Sequence, residues 1–299
     1  MLGRIVMPFC SKCGKDLGVE DMFCPACGTP VGGTSRAIQV EALDIPYPEG
    51  DSARLEIVVR SAGRIDVSGG ASEKFVEGTV EYDDSELAPV IRVQGDRVRI
   101  IQEERFVVRV RANPVNRWDI KLGHGKPFSM DVRCGVSMGD WDLGGLPLTD
   151  LTLRAGVSNN SLSFDAPNPE ALRLLKLSAG AGDLEAGGLL NANFDRMKVE
   201  GGVGEVRLGF TGKGLDRDAR VNIVGGVGSF RITVDEAVPT RVSVEGLASV
   251  SAHGGFVQTR SGGFLGGVYT NDAYEDNQSP SLRLEIRLGV GSVSIDTTR

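Results

Sequence analysis

The chain has 299 residues, with 33 lysines and arginines against 40 aspartates and glutamates, a net charge of −7 and 41 glycines. A net negative charge argues against a nucleic-acid partner that is held by long-range attraction. No run of 18 or more apolar residues occurs, so the sequence predicts no membrane-spanning helix. The first residues lack the apolar segment and cleavage site of a secretory signal, and we expect a cytoplasmic protein.

Four of the five cysteines form two C-x2-C pairs near the start of the chain, Cys10 with Cys13 and Cys24 with Cys27. Four thiolates at this spacing can surround one tetrahedral zinc ion, Zn2+. Because all four positions are cysteine, none is left for water, and the predicted zinc site is structural rather than catalytic. The alternatives are two disulfides, which a reducing compartment disfavours, and an iron site, which generally has a longer gap between the pairs.

The segment PFCSKCGKDLGVEDMFCPACGTPV, residues 8–31, resembles the small zinc ribbons at the N-termini of many bacterial and archaeal proteins. The resemblance covers Phe9 to Val31 and implies an interaction or spacer module. Between Met1 and Arg36 four basic residues stand against three acidic ones and no row of aromatic residues accompanies them, so contact with nucleic acid is not favoured. Residues 32–36 are predicted to be a short flexible linker.

Residues 37–120 alternate strand-like runs with turns and are predicted to form the N-terminal β part of the main domain. In RLEIVVRSAGRIDVSGG, two runs with the period of two that indicates strands flank a glycine. Gly95-Asp96 separates two further alternating runs and predicts a hairpin. The segment RFVVRVRANPVNRWDIKLGHG predicts two more strands.

Residues 121–299 repeat one unit, in which a glycine corner joins two short alternating runs. A repeat of about 20–24 residues predicts coils that stack and share one core, because a single coil cannot bury its apolar face alone. An ordinary antiparallel sandwich is the alternative. Gly289 lies about two periods beyond the last of the equivalent corner glycines, which are Gly135, Gly156, Gly180, Gly202, Gly226 and Gly246.

Three segments of this region depart from the repeat. The residues around Pro167 and the run EALRLL predict a short helical turn or loop, capped by Asn168. Residues 253–281 are rich in Gly, Asn, Asp and Ser and predict an irregular insertion, a loop or hairpin lying beside the last coils. The final segment, SLRLEIRLGVGSVSID, is predicted to be a terminal cap that covers the open end of the stack.

The family resemblance of the main domain rests on GTVEYDDSELAPVIRVQGDRVRI, NRWDIKLGHGKPFSMDVRCGVSMGDWDLGGLPLTDLTLRAG and LLKLSAGAGDLEAGGLLNANF. These segments resemble the bacterial toast-rack domains, which include the C-terminal domain of LiaF-like cell-envelope stress proteins and adhesin-like domains of unknown function. The resemblance covers Ala37 to Asp296. It implies a right-handed, single-stranded β-solenoid with a role in envelope sensing or partner binding. LiaF-like proteins carry transmembrane helices ahead of this domain, where this chain carries the zinc ribbon.

Patterns that look catalytic are better explained as structure. Gly135–Gly139 matches the G-x-S-x-G nucleophile elbow with Ser137, but no helix follows and other coils place unrelated residues at this corner. His124 and His253 each precede a glycine in a turn-like context, outside any ligand spacing. Cys134 is predicted to be a small buried apolar residue.

Two possible ligand loops have a similar structural explanation. The glycines of Gly201–Gly204 and Gly225–Gly228 lead into strands, whereas a phosphate-binding loop leads into a helix. One acidic loop offers oxygen ligands at a spacing that fits no EF-hand, and we predict a solvated loop. Its residues are Asn271, Asp272, Glu275, Asp276 and Asn277.

The sequence therefore predicts a mainly β protein that is not an enzyme. Its predicted function is that of a scaffold or protein-interaction protein with a structural zinc site, linked by resemblance to cell-envelope stress sensing. The partner is an unidentified protein, and open solenoid ends would also allow copies to associate end to end. The alternative is a regulator whose ribbon contacts nucleic acid or the transcription machinery. An enzyme whose site assembles only in three dimensions is disfavoured, because no titratable cluster stands at a recognisable spacing.

Overall fold

The computed structural model describes residues 9–10, 12–16, 24–28, 37–71, 73–102, 114–261, 266–275 and 279–298. The chain divides into two compact units, Met1–Gln39 and Val40–Arg299. In the first unit an isolated antiparallel bridge joins Phe9 to Asp16. In the described part of the second, helix is limited to two 3-10 turns, Ser85–Leu87 and Leu189–Ala192, neither long enough to cross a membrane.

In the described part of the chain, sixteen strands form one continuous sheet. The short N-terminal strands are β1 (Gln39–Ile45), β2 (Ala53–Val59), β3 (Gly63–Gly69), β4 (Val76–Tyr82), β5 (Val90–Gln94), β6 (Arg97–Ile101) and β7 (Asn116–Leu122). The long strands are β8 (Phe128–Asp142), β9 (Leu148–Ser163), β10 (Leu172–Gly187), β11 (Phe194–Phe210), β12 (Ala219–Asp235), β13 (Thr240–Ala252) and β16 (Leu282–Thr298). The remaining short strands are β14 (Val257–Ser261) and β15 (Gly266–Thr270).

Each long strand turns a corner at its glycines and so contributes two arms to one coil. In β8, Met130 and Val132 are buried before the corner, and Gly139 and Trp141 are buried after it. Even-numbered residues thus face the core before the corner, and odd-numbered residues face it after the corner. A straight strand keeps a single phase, so the change of phase marks the corner and lets both arms face the same core.

The coils stack in parallel and share one core. Strands β8 to β12 pair in chain order, each with the next. Residues from Leu43 to Ile295 belong to a single buried apolar cluster. One inward column shows the stacking, since its members pair in register and all are buried: Val132, Leu153, Leu177, Val199, Ile223, Ile286 and Val244. The predicted β-solenoid is confirmed, and the antiparallel sandwich is wrong.

At the N-terminal end, four short strands form two further coils. Strands β2 and β3 pair with the two arms of β8, and β6 and β7 pair in turn with β2 and β3. Antiparallel β5 and β4 lie on β6 and β7, and the predicted hairpin at Gly95-Asp96 joins β5 to β6. The strand predicted in FVVRV, residues 106–110, and the linker at 32–36 lie outside the described residues.

At the C-terminal end, the strand order corrects the predicted cap. Strand β16 pairs with β12 on one side and β13 on the other, so it lies inside the stack and does not cover its end. The described residues place the β14–β15 hairpin on the first arm of β13 instead. Strand β16 keeps both corner glycines, Gly289 and Gly291, whereas β13 has Ala248 opposite Gly291 and a register shift beside it. The irregular strand thus occupies the outer position, where fewer neighbours must fit.

The segment around Asn168 forms a loop and not the helical turn that was one of the two predictions. The run LRLL lies in β10. The buried Asn168 amide donates to the carbonyl oxygens of Leu148 (2.8 Å) and Ala192 (3.2 Å), and its Oδ1 accepts from the N–H groups of Leu148 (3.2 Å) and Glu170 (2.9 Å). Because Leu148 and Ala192 belong to neighbouring coils, Asn168 ties coils together at the loop side, beside backbone bonds such as the one from its own N–H to the Asn191 carbonyl at 2.8 Å.

The corners are the closest contacts between coils. At Gly204 the backbone has φ of +145°, and an added Cβ would lie 1.8 Å from the carbonyl oxygen of Gly182 in the preceding coil. No real Cβ tolerates this distance, so only glycine fits. Two glycine columns share the arrangement. The first contains Gly135, Gly156, Gly180, Gly202, Gly226 and Gly289, and the second contains Gly182, Gly204, Gly228 and Gly291.

Replacing Gly204 by alanine should therefore be costly. We expect G204A to lower the free energy of unfolding by about 2–5 kcal/mol, through backbone strain and overpacking. Urea denaturation followed by circular dichroism measures the change. Gly187→Ala is the matched control, since a Cβ there meets nothing within 4 Å, and it should cost less than about 1 kcal/mol. Equal effects of the two substitutions would contradict the close corner contact.

Candidate metal centre and exposed surface of the solenoid

The two cysteine pairs of the first unit adopt the same tight turn. The N–H of Gly14 donates to the carbonyl of Cys10 at 2.9 Å, and the N–H of Gly28 donates to the carbonyl of Cys24 at 2.8 Å. The two glycines have φ of +72° and +66°, a left-handed conformation that L side chains rarely adopt. The glycine that follows each pair is thus what closes the turn and brings its two cysteines to the same side.

The structure brings the four predicted cysteines together. Their Sγ atoms all lie within 4.8 Å of one another, with Cys10 and Cys27 3.6 Å apart and Cys13 and Cys24 3.4 Å apart. A tetrahedral site with Zn–S bonds of about 2.3 Å places its sulfurs about 3.8 Å apart. All four are free thiols, so the cluster has the form of a metal site and not of two disulfides.

The negative charges of the clustered thiolates also favour a bound cation. Backbone N–H groups of Lys12 and Cys13 hold the pKa of Cys10 below its usual value. The N–H of Lys15 favours the Cys13 thiolate, but the adjacent sulfur of Cys24 and two further cysteines raise the pKa of Cys13 to about 12. Four thiolates this close repel one another, and a divalent cation removes the repulsion. The residues present therefore fit a bound zinc ion.

The residues that resembled catalytic groups occupy structural positions. Ser137 is 1% exposed, lies within β8, and accepts a hydrogen bond from the Asn160 amide at 3.3 Å, so it does not sit on a strand-to-helix elbow. Cys134 is buried as predicted, and burial raises the pKa of its thiol to about 12. His124 and His253 are both exposed, as predicted for turn residues.

The two possible ligand loops are also structural where they are described. Gly201–Gly204 and Gly225–Gly228 lie within β11 and β12 and carry the corners. Asn271 is buried, accepts from the N–H of Thr240 at 2.9 Å and donates to the carbonyl of Val238 at 2.8 Å. Two members of the acidic loop, residues 276 and 277, lie outside the described residues.

A surface that the sequence analysis missed runs along the corners of the solenoid. Between the two glycine columns each coil presents one outward apolar residue, and these residues pair in register from β8 to β13. We call this row the apolar ridge; it consists of Val136, Val157, Ala181, Val203, Val227, Val290 and Leu247. Its six larger members are between 46% and 61% exposed. The signal was present in the sequence as the valine of each G-V-G corner.

The apolar ridge stands free of neighbouring side chains. On β10, β11, β12 and β16 the glycine columns on both sides carry no side chains, so the ridge residues there project from a flat backbone; on β8 and β9 the second column holds the buried Ser137 and Ser158. The next outward columns are largely polar, for example Glu200 beside one glycine column and Asp183 and Glu205 beside the other, with Val224 and Met138 as exposed apolar members. An apolar strip with a polar border is the arrangement found in protein–protein interfaces.

A cleft of about 790 Å³ opens beside the N-terminal end of the apolar ridge. Val136, Met138 and Val157 line one part of it, and Arg64 and Arg117 line another. Arg64 is held by ion pairs with Asp66 and Asp140. The cleft thus continues the apolar surface of the ridge toward a wall in which Arg64 is held in place by two carboxylates.

Two family profiles match the chain. Residues 9–31 match the zinc-ribbon domain, and residues 36–183 match the N-terminal domain of toast_rack, DUF2154. No curated protein sequence matches the chain.

Crystal structures of adhesin-like proteins are similar in fold. A "putative cell adhesion protein" from Clostridium sporogenes is 20% identical, with a TM-score of 0.47, over 87% of this chain and 100% of its own. A "putative adhesin" from Bacteroides fragilis is 11% identical, with a TM-score of 0.40, over 87% of this chain and 98% of its own. At these values the likeness concerns the fold alone.

Zinc binding and solenoid stability should be separable, because the chain forms two compact units. Cys10→Ser with Cys24→Ser should reduce bound zinc from about one ion per chain to none and leave the melting curve of the β unit unchanged. Zinc content by atomic emission and calorimetry measure the two effects. Cys134→Ser is the matched control: it should keep the zinc but destabilise the β unit, because it places a hydroxyl in the core. Zinc retained by the double variant, or a large loss of β stability in it, would contradict the separation.

Proposed function

We propose that this protein, a zinc ribbon joined to a β-solenoid of the toast-rack type, is a non-enzymatic scaffold that binds another protein along the apolar ridge. The observation that carries the proposal is the exposure of five ridge valines and Leu247, on six of the seven adjacent strands. A contiguous exposed apolar surface with a polar border is typical of an interaction site. The partner would be a protein with a linear apolar groove, since the ridge residues stand in register, one per strand, along the stack.

The ridge suits rigid docking. Its residues lie about 4.8 Å apart along the stack, because that is the distance between neighbouring strands. Valine loses little side-chain freedom on binding, and the corner backbone beneath it is fixed by the glycine contacts. Binding would therefore cost little conformational entropy at this surface, and the successive valines would form one continuous contact with the partner.

The ribbon is proposed to be an adaptor held together by one structural Zn2+. Cys10, Cys13, Cys24 and Cys27 are its ligands, and their four sulfurs complete a tetrahedral set with no position for substrate. Residues 32–36 are proposed to link the ribbon to the solenoid, which would let the two modules hold different partners.

The location and process are proposed on chemical and family grounds. A cluster of four free thiols persists most readily in a reducing compartment, which supports the cytoplasm. A link to cell-envelope stress sensing is supported by the resemblance to the LiaF-like domains. By this resemblance the solenoid would be the part that senses or binds. The ribbon stands where LiaF-like proteins have transmembrane helices.

Self-association through the C-terminal end is proposed as a second property. The second arm of β13, Leu247–Ala252, pairs with β16 and has no partner on its other side among the described residues. Its sequence, LASVSA, has no charge, whereas the edge strands β5 and β14 contain Arg92 and Arg260. Charges protect sheet edges from pairing. Two copies of the uncharged arm could pair antiparallel about a two-fold axis.

The alternative function, a regulator whose ribbon contacts nucleic acid or the transcription machinery, has weaker support. The described part of the ribbon offers two cations, Lys12 and Lys15, beside Asp16. Phosphate contact usually needs a larger basic surface.

Charged ridge residues should abolish partner binding. We expect Val203→Asp with Val290→Asp to remove a partner that a photo-cross-linker at position 157 captures in cells of the native source, with little change in melting temperature because both valines are exposed and lie on strands that do not pair with each other. Val224→Asp is the control, an exposed valine outside the ridge. Capture that survives the double substitution, or is lost equally in V224D, would contradict the ridge as the docking site.

A charge on the open edge should prevent self-association. Sedimentation velocity of the wild-type protein at rising concentration should show a monomer–dimer equilibrium, and Ser249→Lys should shift it to monomer by about 10-fold or more. Ser292→Lys is the control, because it adds the same charge one strand further in, opposite Ser249. A monomeric wild-type protein, or equal effects of both lysines, would refute pairing through this edge.

A further inference from the structure

Four arginines form an uninterrupted row across four adjacent strands of the solenoid. Arg196 on β11 pairs in register with Arg220 on β12. Arg220 pairs in turn with Arg283 on β16, which pairs with Arg241 on β13. Neighbouring strands lie about 4.8 Å apart, so the four side chains follow one another along the stack on its outer face. We call this set the arginine row.

The arginine row has little compensating charge among the described residues. In that part of the chain none of its side chains makes an ion pair, and its one side-chain hydrogen bond runs from Arg283 Nε to the Ser281 hydroxyl at 3.3 Å. Two carboxylates lie next to the row in the sequence and have other partners. Asp195, on β11, pairs with Arg217. Asp218 accepts from the N–H of Ser281 at 2.9 Å, and this hydrogen bond and, to a smaller extent, the charge of Arg283 lower the pKa of Asp218.

The neighbouring outward column does not neutralise the row either. Two residues further along the same strands, this column holds Lys198, Asn222, Glu285 and Ser243. Its single positive and single negative charge cancel. The face therefore keeps an excess of positive charge, offset in part by Asp218 near Arg283, within a chain whose net charge is −7.

A second arginine pair shows how the same chain neutralises a like-charge contact. Arg207 and Arg231 also pair in register on β11 and β12, on the other arm of the coil. Glu205 contacts both of them. Like charges directly opposite each other destabilise a sheet. Among the described residues no carboxylate bridges two members of the arginine row in this way, an arrangement that fits a surface whose counter-charge comes from a ligand.

We propose that the arginine row binds a linear polymer of phosphate groups, with the chain lying along the solenoid axis. Guanidinium groups match phosphate oxygens with paired hydrogen bonds. A single anion would engage one or two of the arginines and leave the others repelling each other. A chain of phosphates can meet all four in turn.

The surroundings favour a polymer without bases. Single-stranded nucleic acids bind on aromatic side chains that stack with successive bases. No aromatic side chain of the described solenoid is among its exposed large apolar residues, and Trp118 and Trp141 are buried. Inorganic polyphosphate has the charge and lacks the bases. It is therefore the probe that represents the proposed ligand.

The binding experiment uses the full, zinc-loaded chain and fluorescently labelled long-chain polyphosphate, followed by anisotropy. We expect affinity to rise from orthophosphate through tripolyphosphate to the long chain. The logarithm of the binding constant should fall with the logarithm of salt with a slope of about −3 for four contacts on a flexible chain. Arg220→Gln with Arg283→Gln should weaken binding by at least about 10-fold. Arg207→Gln with Arg231→Gln is the matched control and should leave it unchanged.

Thermal stability gives an independent reading. Removing two central arginines relieves repulsion, so the R220Q/R283Q protein should melt about 1–3 °C higher than wild type without ligand. Polyphosphate should raise the melting temperature of wild type and not of that variant. A merely structural role for these arginines predicts the opposite, a lower melting temperature in the variant.

Three results would overturn the proposal. They are absence of polyphosphate binding, an equal loss of binding in the control variant, and binding of orthophosphate as tight as that of the long chain. Tighter binding of a single-stranded DNA of matched charge would replace the base-free polymer by nucleic acid. Binding only to vesicles that contain anionic lipid would assign the row to a membrane surface, and it would likewise refute a linear ligand.

Discussion

Backbone contact between glycine corners is the constraint on which the rest of the solenoid depends. At Gly204 and Gly291 a Cβ would lie 1.8 Å from the carbonyl oxygen of the coil before. On β10, β11, β12 and β16 the coils can approach this closely only because both corner positions are glycine; β8 and β9 carry the buried Ser137 and Ser158 at the second position. Both arms of every strand then stay in register, their inward residues meet in one core, and the residue between the two glycines is forced outward. Core and apolar ridge are thus two consequences of the same contact.

Much of this could be predicted from the sequence because it is local. The period of two, the glycine corners and the two C-x2-C pairs are each readable within one segment, and they gave the solenoid and the clustered cysteines. The position of β16 could not be read in this way. Its G-V-G corner matches those of β11 and β12 equally well, so the repeat does not say which coils are neighbours. The register shift in β13 decides it, and that shift appears only when strands are paired.

The outward surfaces were missed for a related reason. Within one unit the sequence shows two strands and a corner. The outward rows become visible only when equivalent positions of different units are compared. Aligning the units shows an arginine at the same place ahead of the corner in RMKV, RVNI, RLEI and RVSV. It also shows a valine inside nearly every corner. In a parallel stack, equivalent positions of neighbouring units lie next to one another. A residue type that recurs at one position of each unit therefore forms a row along the stack.

The stacking order at the C-terminal end tests the account most directly, and paired cysteines can measure it. Ser229, Ser292 and Ser249 lie one residue beyond the second glycine column or its continuation, on β12, β16 and β13. With neighbouring strands about 4.8 Å apart, disulfides should form in S229C/S292C and in S292C/S249C, and mass spectrometry of digests should find both. In S229C/S249C the two sites are about 10 Å apart, beyond the reach of a disulfide, and no link should form. A link in S229C/S249C, with none to position 292, would contradict the order β12–β16–β13 and the corner contacts that produce it.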